Sequence, residues 1–451
     1  MTSPTADDRH RHVFVDVSNT LAVPYQTGFQ RHTRELLRRL PGPDDAGPIR
    51  FIPVRWCLEC GTFRRLDPGE SAQLATFRAP ATPPRSRLSQ LADPLPGPVR
   101  SALARAIRLG PVQALRDRAA RRRRLAAHPA GHGTLRIDEW PRDSWLFDLE
   151  AAWHNVPHRA ELLPAMAARG VRTATLIADV MPTQFPEWFD DGQIRLFTSF
   201  IDAHLDHSER FVCISRCSER DVVEYSRRRG DDRALRTSVI TMGANFRVAA
   251  ANLPRPESAP PGRFILSVGT VEPRKNHALL LDAFDRLADE IPDLSLAIVG
   301  KAGWMTEAIT ERMRAHPLAG GRLRWLDHVD DDTLDGLYRH AFVSVQPAFY
   351  EGFGTPVIEA LANGLPTIAS NGGALVEAGG ARAEFFDPHR LDELVTLLRR
   401  HATDDAYHRA RREALCDYRP PTWEDGAAGI VAALSPDALT PDPAERTRAA
   451  E

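Results

Sequence analysis

The sequence predicts an α/β protein made of two doubly wound, parallel-sheet domains that face each other across a cleft. Its 451 residues exceed the usual ~100–200 residues of one domain, so the chain is long enough for two such units. An apolar segment at residues 13–21 runs into a loop with Gly28 and then into a helical pattern, which is how a doubly wound unit begins. After residue 263, apolar strands alternate regularly with helical segments, which favours a second parallel sheet.

The N-terminal half contains two further apolar segments, at residues 173–182 and 211–215, and each is followed by helical periodicity. We interpret both as buried parallel strands of a first domain at residues 1–250.

A proline-rich stretch separates the two halves. Residues 247–262 carry four prolines and no apolar periodicity, which is typical of a linker. We predict a linker at residues 251–262 and a second domain at residues 263–435. Residues 436–451 are polar and interrupted by prolines, and we predict that this tail is disordered.

The second domain shows its elements in a regular order. They are strand 264–270, helix 276–290, strand 294–300, a helix near 306–315, strand 323–326, helix 333–340 and strand 342–348. Ligands of such sheets bind beyond the carboxyl ends of the strands, so we expect the functional site there, in the cleft between the domains.

Composition excludes several classes of protein. The chain has 58 Lys plus Arg and 60 Asp plus Glu, a net charge of -2, so it lacks the basic excess that nucleic-acid binding requires. The chain has five cysteines, and this odd number favours reduced thiols. No stretch approaches ~18 uninterrupted apolar residues, and the N-terminus has no apolar leader. We therefore predict a cytoplasmic protein whose membrane contact, where it exists, is peripheral.

An arginine-rich and proline-rich insertion interrupts the first domain at about residues 66–140. Within it, residues 85–124 contain eleven arginines against Asp93 and Asp117. Two interpretations stay open: a helical stripe that lies on an anionic membrane surface, at the inner face of the membrane, or a solvated insertion without a partner.

The most informative segment is FYEGFGTPVIEALANGLPTIASNGG at residues 349–373. We expect Glu351 to end a strand, Gly352 and Gly354 to let the backbone approach a ligand, and Thr355 to cap the helix that follows. The free N–H groups and the dipole of that helix favour a phosphate at its N-terminus.

Glu359 lies eight residues after Glu351, so we expect their carboxylates to be on the order of 10 Å apart. Retaining glycosidases need about 5 Å, so this pair does not fit covalent hydrolysis. The two glutamates either bind hydroxyl groups at opposite ends of an elongated ligand, or are a loop charge and a partner of the helix dipole.

A second loop, SVGTVEPRKNH at residues 267–277, directly follows the first strand of the same domain. Arg274 and Lys275 are expected to begin a helix there. They would either neutralise a diphosphate beside the predicted anion site or be solvated surface charges.

Together these segments resemble the retaining nucleotide-sugar glycosyltransferases of glycosyltransferase family 4, and in particular their EPRKN-type, mannosyltransferase-like members. The similarity lies in VGTVEPRKN at 268–276, VGKAGW at 299–304, DHVDDDTLDGLYRHA at 327–341 and the E-x7-E signature of YEGFGTPVIEALANGLP at 350–366. It covers nearly all of residues 264–434, and it extends more loosely through residues 15–37 and 176–189.

The resemblance implies the GT-B architecture, in which two Rossmann-like domains face each other, the first binding the acceptor and the second the nucleotide sugar. It also implies that a closing helix at about residues 423–434 packs back toward the first domain.

The resemblance also implies a role for each matching residue. Glu351 would bind the donor sugar and Glu359 the nucleotide ribose, while Lys275 and Arg274 would act as catalytic cations on the diphosphate. The remaining donor-binding positions are Gly28, Gly269, Thr270, Val329, Gly352, Phe353, Gly354 and Thr355. Ala178 and Asp179 would lie on the acceptor side, and the reaction would need no metal and no other cofactor.

The implied activity is transfer of a hexose, with mannose as the first expectation, from a nucleoside diphosphate sugar to a hydroxyl group of a saccharide or lipid-linked saccharide in polysaccharide synthesis. Two alternatives are kept. Many relatives carry His where this chain has Ala178 and Arg where it has Thr270, which favours a nucleotide-sugar-binding protein with impaired catalysis. The other alternative is a sugar-nucleotide epimerase.

Overall fold

The structure is a computed structural model that describes residues 11–23, 28–58, 60–77, 134–135, 137–141, 143–244 and 253–435. Its strands form two sheets, one in each half of the chain, so the predicted α/β class with two parallel-sheet domains is confirmed. The predicted membrane contact at residues 85–124 and the tail at residues 436–451 lie outside the described residues.

The first sheet has eight strands in the order β4-β3-β2-β1-β5-β6-β7-β8. Its strands are β1 (Arg11–Asp16), β2 (Ile49–Cys57), β3 (Thr62–Arg65), β4 (Thr134–Leu135), β5 (Trp145–Asp148), β6 (Arg172–Ile177), β7 (Arg210–Cys213) and β8 (Thr237–Val239). The neighbouring strands in the run β2-β1-β5-β6-β7-β8 are all parallel, for example with Val13 of β1 opposite Trp145 of β5. Strands β3 and β4 add an antiparallel edge that the sequence pattern did not predict.

Seven α-helices within the described residues accompany this sheet. They are α1 (Ser18–Ala22), α2 (Gly28–Leu37), α3 (Pro68–Ala75), α4 (Arg159–Ala167), α5 (Met181–Gln184), α6 (Asp191–His207) and α7 (Arg216–Arg228) among the described residues.

The first apolar segment is shorter as a strand than the sequence predicts. β1 ends at Asp16, because the Asp16 carboxylate accepts the backbone N–H of Ser18 at 3.0 Å and turns the chain. The Glu150 carboxylate then accepts the N–H groups of Asn19 and Thr20, both at 2.7 Å, and so holds the first turn of α1. These contacts come from distant residues, which local periodicity cannot reveal.

The second sheet has six strands, all parallel, in the order β11-β10-β9-β12-β13-β14. They are β9 (Arg263–Val268), β10 (Leu294–Val299), β11 (Leu323–Leu326), β12 (Val343–Gln346), β13 (Thr367–Ser370) and β14 (Glu384–Phe386). Every residue of β10 is buried, as expected for a strand of a parallel sheet with helices on both faces.

The helices of the second half are α8 (His277–Ala288), α9 (Glu307–Ala315), α10 (Asp331–His340), α11 (Thr355–Ala362), α12 (Leu375–Gly379), α13 (Leu391–Thr403), α14 (Asp405–Glu413) and α15 (Trp423–Leu434). None of the helices in the described ranges combines the length and the apolar character that crossing a bilayer requires.

The last helix, α15, packs on the first domain rather than on the second. Trp423, Ile430 and Leu434 are fully buried in the apolar cluster that also contains Val13 and Leu36. The Arg11 guanidinium donates to the carbonyl oxygen of Leu434 at 2.7 Å. α15 therefore ties the second domain to the first.

Candidate active site

Two loops meet at the carboxyl edge of the second sheet. The first follows β9 and contains Gly269 to Asn276, and the second follows β12 and contains Glu351 to Gly354. Because β9 and β12 are neighbours in the sheet, the two loops emerge side by side. The backbone N–H of Phe349 donates to the carbonyl oxygen of Arg274 at 2.8 Å, which joins the loops directly.

A compact ionic cluster forms where these loops touch. The Lys275 ammonium group donates to one carboxylate oxygen of Glu351, and the Arg274 guanidinium lies 2.8 Å from the other. Arg274 also pairs with Glu272 at 2.7 Å and donates to the carbonyl oxygen of Tyr350 at 3.2 Å. The structure thus brings the three predicted catalytic residues together, and it adds Glu272.

The cluster keeps Glu351 ionised. Burial of Glu351 disfavours its charged form, but the attraction of Arg274 and Lys275 outweighs burial and lowers its pKa to about 2. Burial also disfavours the charge on Arg274, yet Glu351 and Glu272 raise its pKa. Glu351 is therefore a carboxylate that accepts hydrogen bonds over the whole physiological pH range.

The basic loop differs in two respects from the prediction that Arg274 and Lys275 begin a helix. Both lie in a short 3-10 turn, Pro273–Lys275, and α8 begins only at His277, after Asn276 adopts a left-handed conformation with φ 54°. Gly269 lies beside this turn, since a Cβ atom on it would be 3.4 Å from the Lys275 Nζ. Thr270 is half-buried next to Gly303.

Glu351 lies five residues beyond Gln346, the last residue of β12, and does not end a strand as predicted. The prediction that Thr355 caps α11 is also wrong. The N-cap residue is Gly354, which has φ 97°, and Thr355 is the first helical residue. A glycine accepts this left-handed conformation without strain, so the chain enters the helix one residue earlier.

The N-terminal tip of α11 has no side-chain cap. In the part of the chain that the structure describes, the N–H groups of Phe353, Gly354 and Thr355 have no acceptor among backbone or side-chain atoms. Three donors and the positive end of a helix dipole thus lie next to Glu351 and Lys275, a combination that suits an anionic ligand.

Glu359 lies one turn into α11. Its carboxylate accepts a hydrogen bond from the Tyr338 hydroxyl at 2.8 Å. Burial raises the pKa of Glu359, while the positive charge of Arg31 and the Tyr338 hydrogen bond oppose that shift. Val329 is partly buried against the apolar cluster that includes Leu337.

Arg31 was not predicted as a functional residue. It belongs to α2 of the first domain, three residues after Gly28, and its charge acts on Glu359 and Asp335 of the second domain. Its position one helical turn after the glycine loop is the only sequence signal that points to it. Gly28 itself begins α2 and is exposed, and no atom of the described residues lies within 4 Å of the position where its Cβ would lie.

The first domain reaches the ionic cluster through Ala178 and Asp179, which follow β6. A Cβ atom on Gly352 would clash with the carbonyl oxygen of Ala178 and would lie 3.0 Å from the Asp179 Cβ, so the two backbones are in direct contact. Burial raises the pKa of Asp179 to about 6, with Glu351 and Glu272 adding to the shift and Arg274 opposing it. Charged residues of the second domain therefore contribute to the pKa of Asp179, a residue of the first.

Asp330, Asp331 and Asp332 begin α10. The Asp330 carboxylate accepts the backbone N–H of Thr333 at 2.8 Å as the N-cap, so this acidic run starts a helix.

Comparisons with known proteins show which proteins the chain is similar to. Residues 251–415 match the family model of glycosyl transferases group 1. The chain is 30% identical over 274 residues to the serotype-specific mannosyltransferase WbdA of Escherichia coli, a match that covers 58% of this chain and 34% of WbdA. It is 27% identical over 277 residues to the O-antigen chain mannosyltransferase B of Escherichia coli, covering 60% of this chain and 69% of that protein. The chain thus spans about one third of WbdA.

Solved structures show the fold. The crystal structure of Anabaena HepE in complex with UDP and glucose superposes with a TM-score of 0.54 and 14% identity, covering 98% of this chain and 100% of that one. Sucrose-phosphate synthase from Thermosynechococcus elongatus superposes with a TM-score of 0.52 and 17% identity over the same shares. Both matches extend over the two domains, and the architecture is GT-B.

Proposed function

We propose, from the glycosyl transferases group 1 domain that this chain carries within its GT-B fold, that it is a retaining hexosyltransferase. It would transfer one hexose from a nucleoside diphosphate sugar to a hydroxyl group of a saccharide acceptor.

The observation that carries the proposal is the contact between Lys275 and Glu351 beside the uncapped tip of α11. An ammonium group and free backbone N–H groups together suit a diphosphate, since each charge-assisted hydrogen bond contributes about 1.5–3 kcal/mol. The adjacent ionised carboxylate suits the hydroxyl groups of the attached sugar. A nucleoside diphosphate sugar contains both groups in this order.

The chemistry follows from the same arrangement. As the bond from the sugar to the diphosphate breaks, negative charge develops on the leaving oxygen, and Lys275 with the N–H groups of Phe353 and Gly354 would stabilise it. The acceptor hydroxyl would enter from the side of Ala178 and Asp179, on the face that the diphosphate leaves, and its proton would pass to the departing diphosphate. Attack on that face retains the anomeric configuration.

Glu359 would bind the ribose of the nucleotide. Its carboxylate already accepts a hydrogen bond from Tyr338, and a carboxylate has further lone pairs for the two ribose hydroxyls. Val329 would lie beside the base, and Gly28 would approach the diphosphate from the first domain.

The finer specificity is also a proposal. WbdA and the O-antigen chain mannosyltransferase B are mannosyltransferases by name, which favours a mannose donor such as GDP-mannose and an acceptor in surface polysaccharide synthesis. A lipid-linked acceptor would give the arginine-rich residues 85–124 a role in peripheral membrane contact. Because Lys275 supplies the cation at the diphosphate, we propose that transfer needs no metal.

A screen of the purified chain tests the proposal. UDP, GDP, dTDP and ADP sugars are added in turn, and the melting temperature is measured; a ligand at 100 times its Kd stabilises the fold by about 2.7 kcal/mol. Transfer from the stabilising donor to saccharide acceptors is then followed in the presence of EDTA. Stabilisation by one donor and metal-independent transfer support the proposal, and no stabilisation by any donor contradicts it.

A second candidate, a nucleotide-sugar-binding protein without transfer, is favoured by the observation that Ala178 places no imidazole at the acceptor side. Its carbonyl oxygen is instead bound by the Ser218 hydroxyl at 2.5 Å. This candidate would be favoured if a donor stabilised the protein but was neither transferred to an acceptor nor slowly hydrolysed. Conversion of the donor sugar without any acceptor would favour an epimerase.

A further inference from the structure

The carbonyl group of Gly352 is held by the opposite domain. The Ser215 hydroxyl donates to this oxygen at 2.8 Å, and the Ser218 hydroxyl lies 3.1 Å from it. Ser215 is the N-cap residue of α7 and Ser218 lies in the first turn of that helix. Both serines are almost fully buried, with 4% and 0% of their surface exposed.

The neighbouring loop residues are held differently. Phe349 donates to the carbonyl oxygen of Arg274 and the carbonyl oxygen of Glu351 accepts from Ala374, both at 2.8 Å and both within the second domain. The loop backbone is thus hydrogen-bonded within the second domain at Phe349 and Glu351, and to side chains of the first domain at Gly352.

The peptide bond after Gly352 gives this contact a consequence. It is a trans peptide, and in a planar trans peptide the C=O and N–H bonds point in opposite directions. With the Gly352 oxygen directed at Ser215 and Ser218, the N–H of Phe353 points away from α7. That N–H has no acceptor in the described part of the chain, and it lies at the tip of α11.

The same helical turn also anchors the acceptor-side loop. Each serine hydroxyl has one proton. Ser215 gives its proton to the Gly352 carbonyl and accepts the N–H of Ser218 at 2.9 Å. The Ser218 hydroxyl faces two carbonyl oxygens, that of Ala178 at 2.5 Å and that of Gly352 at 3.1 Å, so its one proton is shared between them. One buried turn of α7 therefore fixes the backbone on both sides of the ionic cluster.

We propose that Ser215 and Ser218 are positioning residues that orient the Gly352–Phe353 peptide, so that the Phe353 N–H donates to the distal phosphate or the sugar of a nucleoside diphosphate sugar. This inference rests on the proposed function. It goes beyond it by assigning the orientation of a donor in the second domain to two side chains of the first. Without the two hydroxyl groups, no side chain of the first domain would hold this peptide, and Gly352 has no Cβ atom to limit its backbone conformation.

The chain offers a matched control at the same interface. The Glu377 carboxylate accepts the backbone N–H groups of Arg216 and Cys217 at 2.9 and 2.7 Å, so it also joins the second domain to the first turn of α7. Replacing it weakens the contact between the domains but leaves both hydroxyl groups on Gly352.

The test compares ligands with and without the distal phosphate and sugar. The double variant Ser215→Gly/Ser218→Ala is used because glycine at an N-cap costs only a few tenths of a kcal/mol. Binding of GDP-mannose and GMP, and of UDP-glucose and UMP, is measured by calorimetry on the full chain. We expect the variant to bind the nucleotide sugar about ten- to a hundredfold more weakly and the monophosphate within about twofold of the wild type.

Two further variants complete the test. Ser215→Thr, made with Ser218 intact, keeps the hydroxyl group and should bind the nucleotide sugar much more tightly than Ser215→Gly made with Ser218 intact. Glu377→Ala should weaken the binding of both ligands equally and only slightly. Unchanged nucleotide-sugar affinity in the double variant, an equal loss for both ligands, or a Glu377→Ala loss as selective as that of the serines would overturn the inference. A wild type that binds none of the UDP, GDP, dTDP and ADP sugars would instead contradict the proposed function itself.

Discussion

The guanidinium group of Arg274 lies 2.8 Å from the carboxylate of Glu351 and 2.7 Å from that of Glu272. Arg274 is thus the counterion of two buried carboxylates, and its planar, rigid head suits such a fixed double contact. Lys275 contacts Glu351 alone among the described carboxylates, and an ammonium group carries three donors. Lys275 is therefore the better placed of the two cations to add a phosphate oxygen.

Replacement of Lys275 should abolish transfer, and arginine should not substitute for it. The chain has only two lysines, Lys275 and Lys301, among 58 Lys plus Arg. A bulkier, forked head at position 275 would compete with Arg274 for Glu351. We expect Lys275→Met and Lys275→Arg each to lower kcat at least about a hundredfold, as loss of a preorganised charge contact does in other active sites.

Arg399→Ala is the control, because the ion pair of Arg399 with Glu290 is exposed, at 42% and 50%. Arg399→Ala should leave kcat unchanged and should change the free energy of unfolding by no more than about 1 kcal/mol. Activity of Lys275→Arg near that of the wild type would contradict the special role of the ammonium group.

Glu351→Gln should remove a component of acid sensitivity. The pKa of Glu351 is lowered from 4.5 to about 2, so its charge stabilises the fold above about pH 4.5, and this contribution disappears as the pH falls toward 2. The difference corresponds to about 3 kcal/mol at most. Melting temperatures of both proteins between pH 7 and pH 3 should show the advantage of the wild type shrinking below pH 4.5. A constant difference would mean that folding does not lower the pKa of Glu351.

Asp179→Asn should have the opposite pH dependence. The pKa of Asp179 is raised from 3.8 to about 6, so ionisation of this carboxyl group opposes folding. Its protonated form supports the fold below about pH 3.8, and that support is lost as the pH rises through 6. Relative to the wild type, Asp179→Asn should therefore gain melting temperature between pH 4 and pH 7, and an unchanged difference across this interval would contradict the assignment.

Patterns along the chain sufficed for the parts of the fold that depend on local periodicity. Strands β9 to β12 of the second sheet follow from the apolar segments, and the tip of α11 follows from Gly352, Gly354 and Pro356. The boundaries were less accurate, because Asp16 and Glu150 end β1 through contacts with Ser18, Asn19 and Thr20 that no local rule contains.

From the residues alone, the site could be predicted only where it lies within one domain; Gly28, Ala178 and Asp179 of the first domain were expected only through the family resemblance. Lys275, Arg274 and Glu351 belong to two loops of the same sheet edge, and the spacing of β9 and β12 brings them together. Ser215, Ser218 and Arg31 act across the domain boundary, so their role depends on how two separate sheets face each other. A Ser-x-x-Ser pair before a helix looks like an ordinary N-cap, and nothing in its spacing points to Gly352.

Gly28→Ala separates a binding role of Gly28 from a packing role. No atom of the described residues lies within 4 Å of the added Cβ, and Gly28 begins α2. The free protein should therefore be as stable as the wild type, or more stable by up to about 1 kcal/mol because alanine has the higher helix propensity. The methyl group would, however, occupy the space through which the backbone approaches a bound diphosphate. We expect donor affinity, measured by calorimetry, to fall at least about tenfold. Gly47→Ala, whose Cβ would have its nearest neighbour at 3.9 Å, should bind the donor normally. Normal affinity in Gly28→Ala would remove Gly28 from the donor site, because a diphosphate that tolerates the methyl group cannot be in contact with the backbone there.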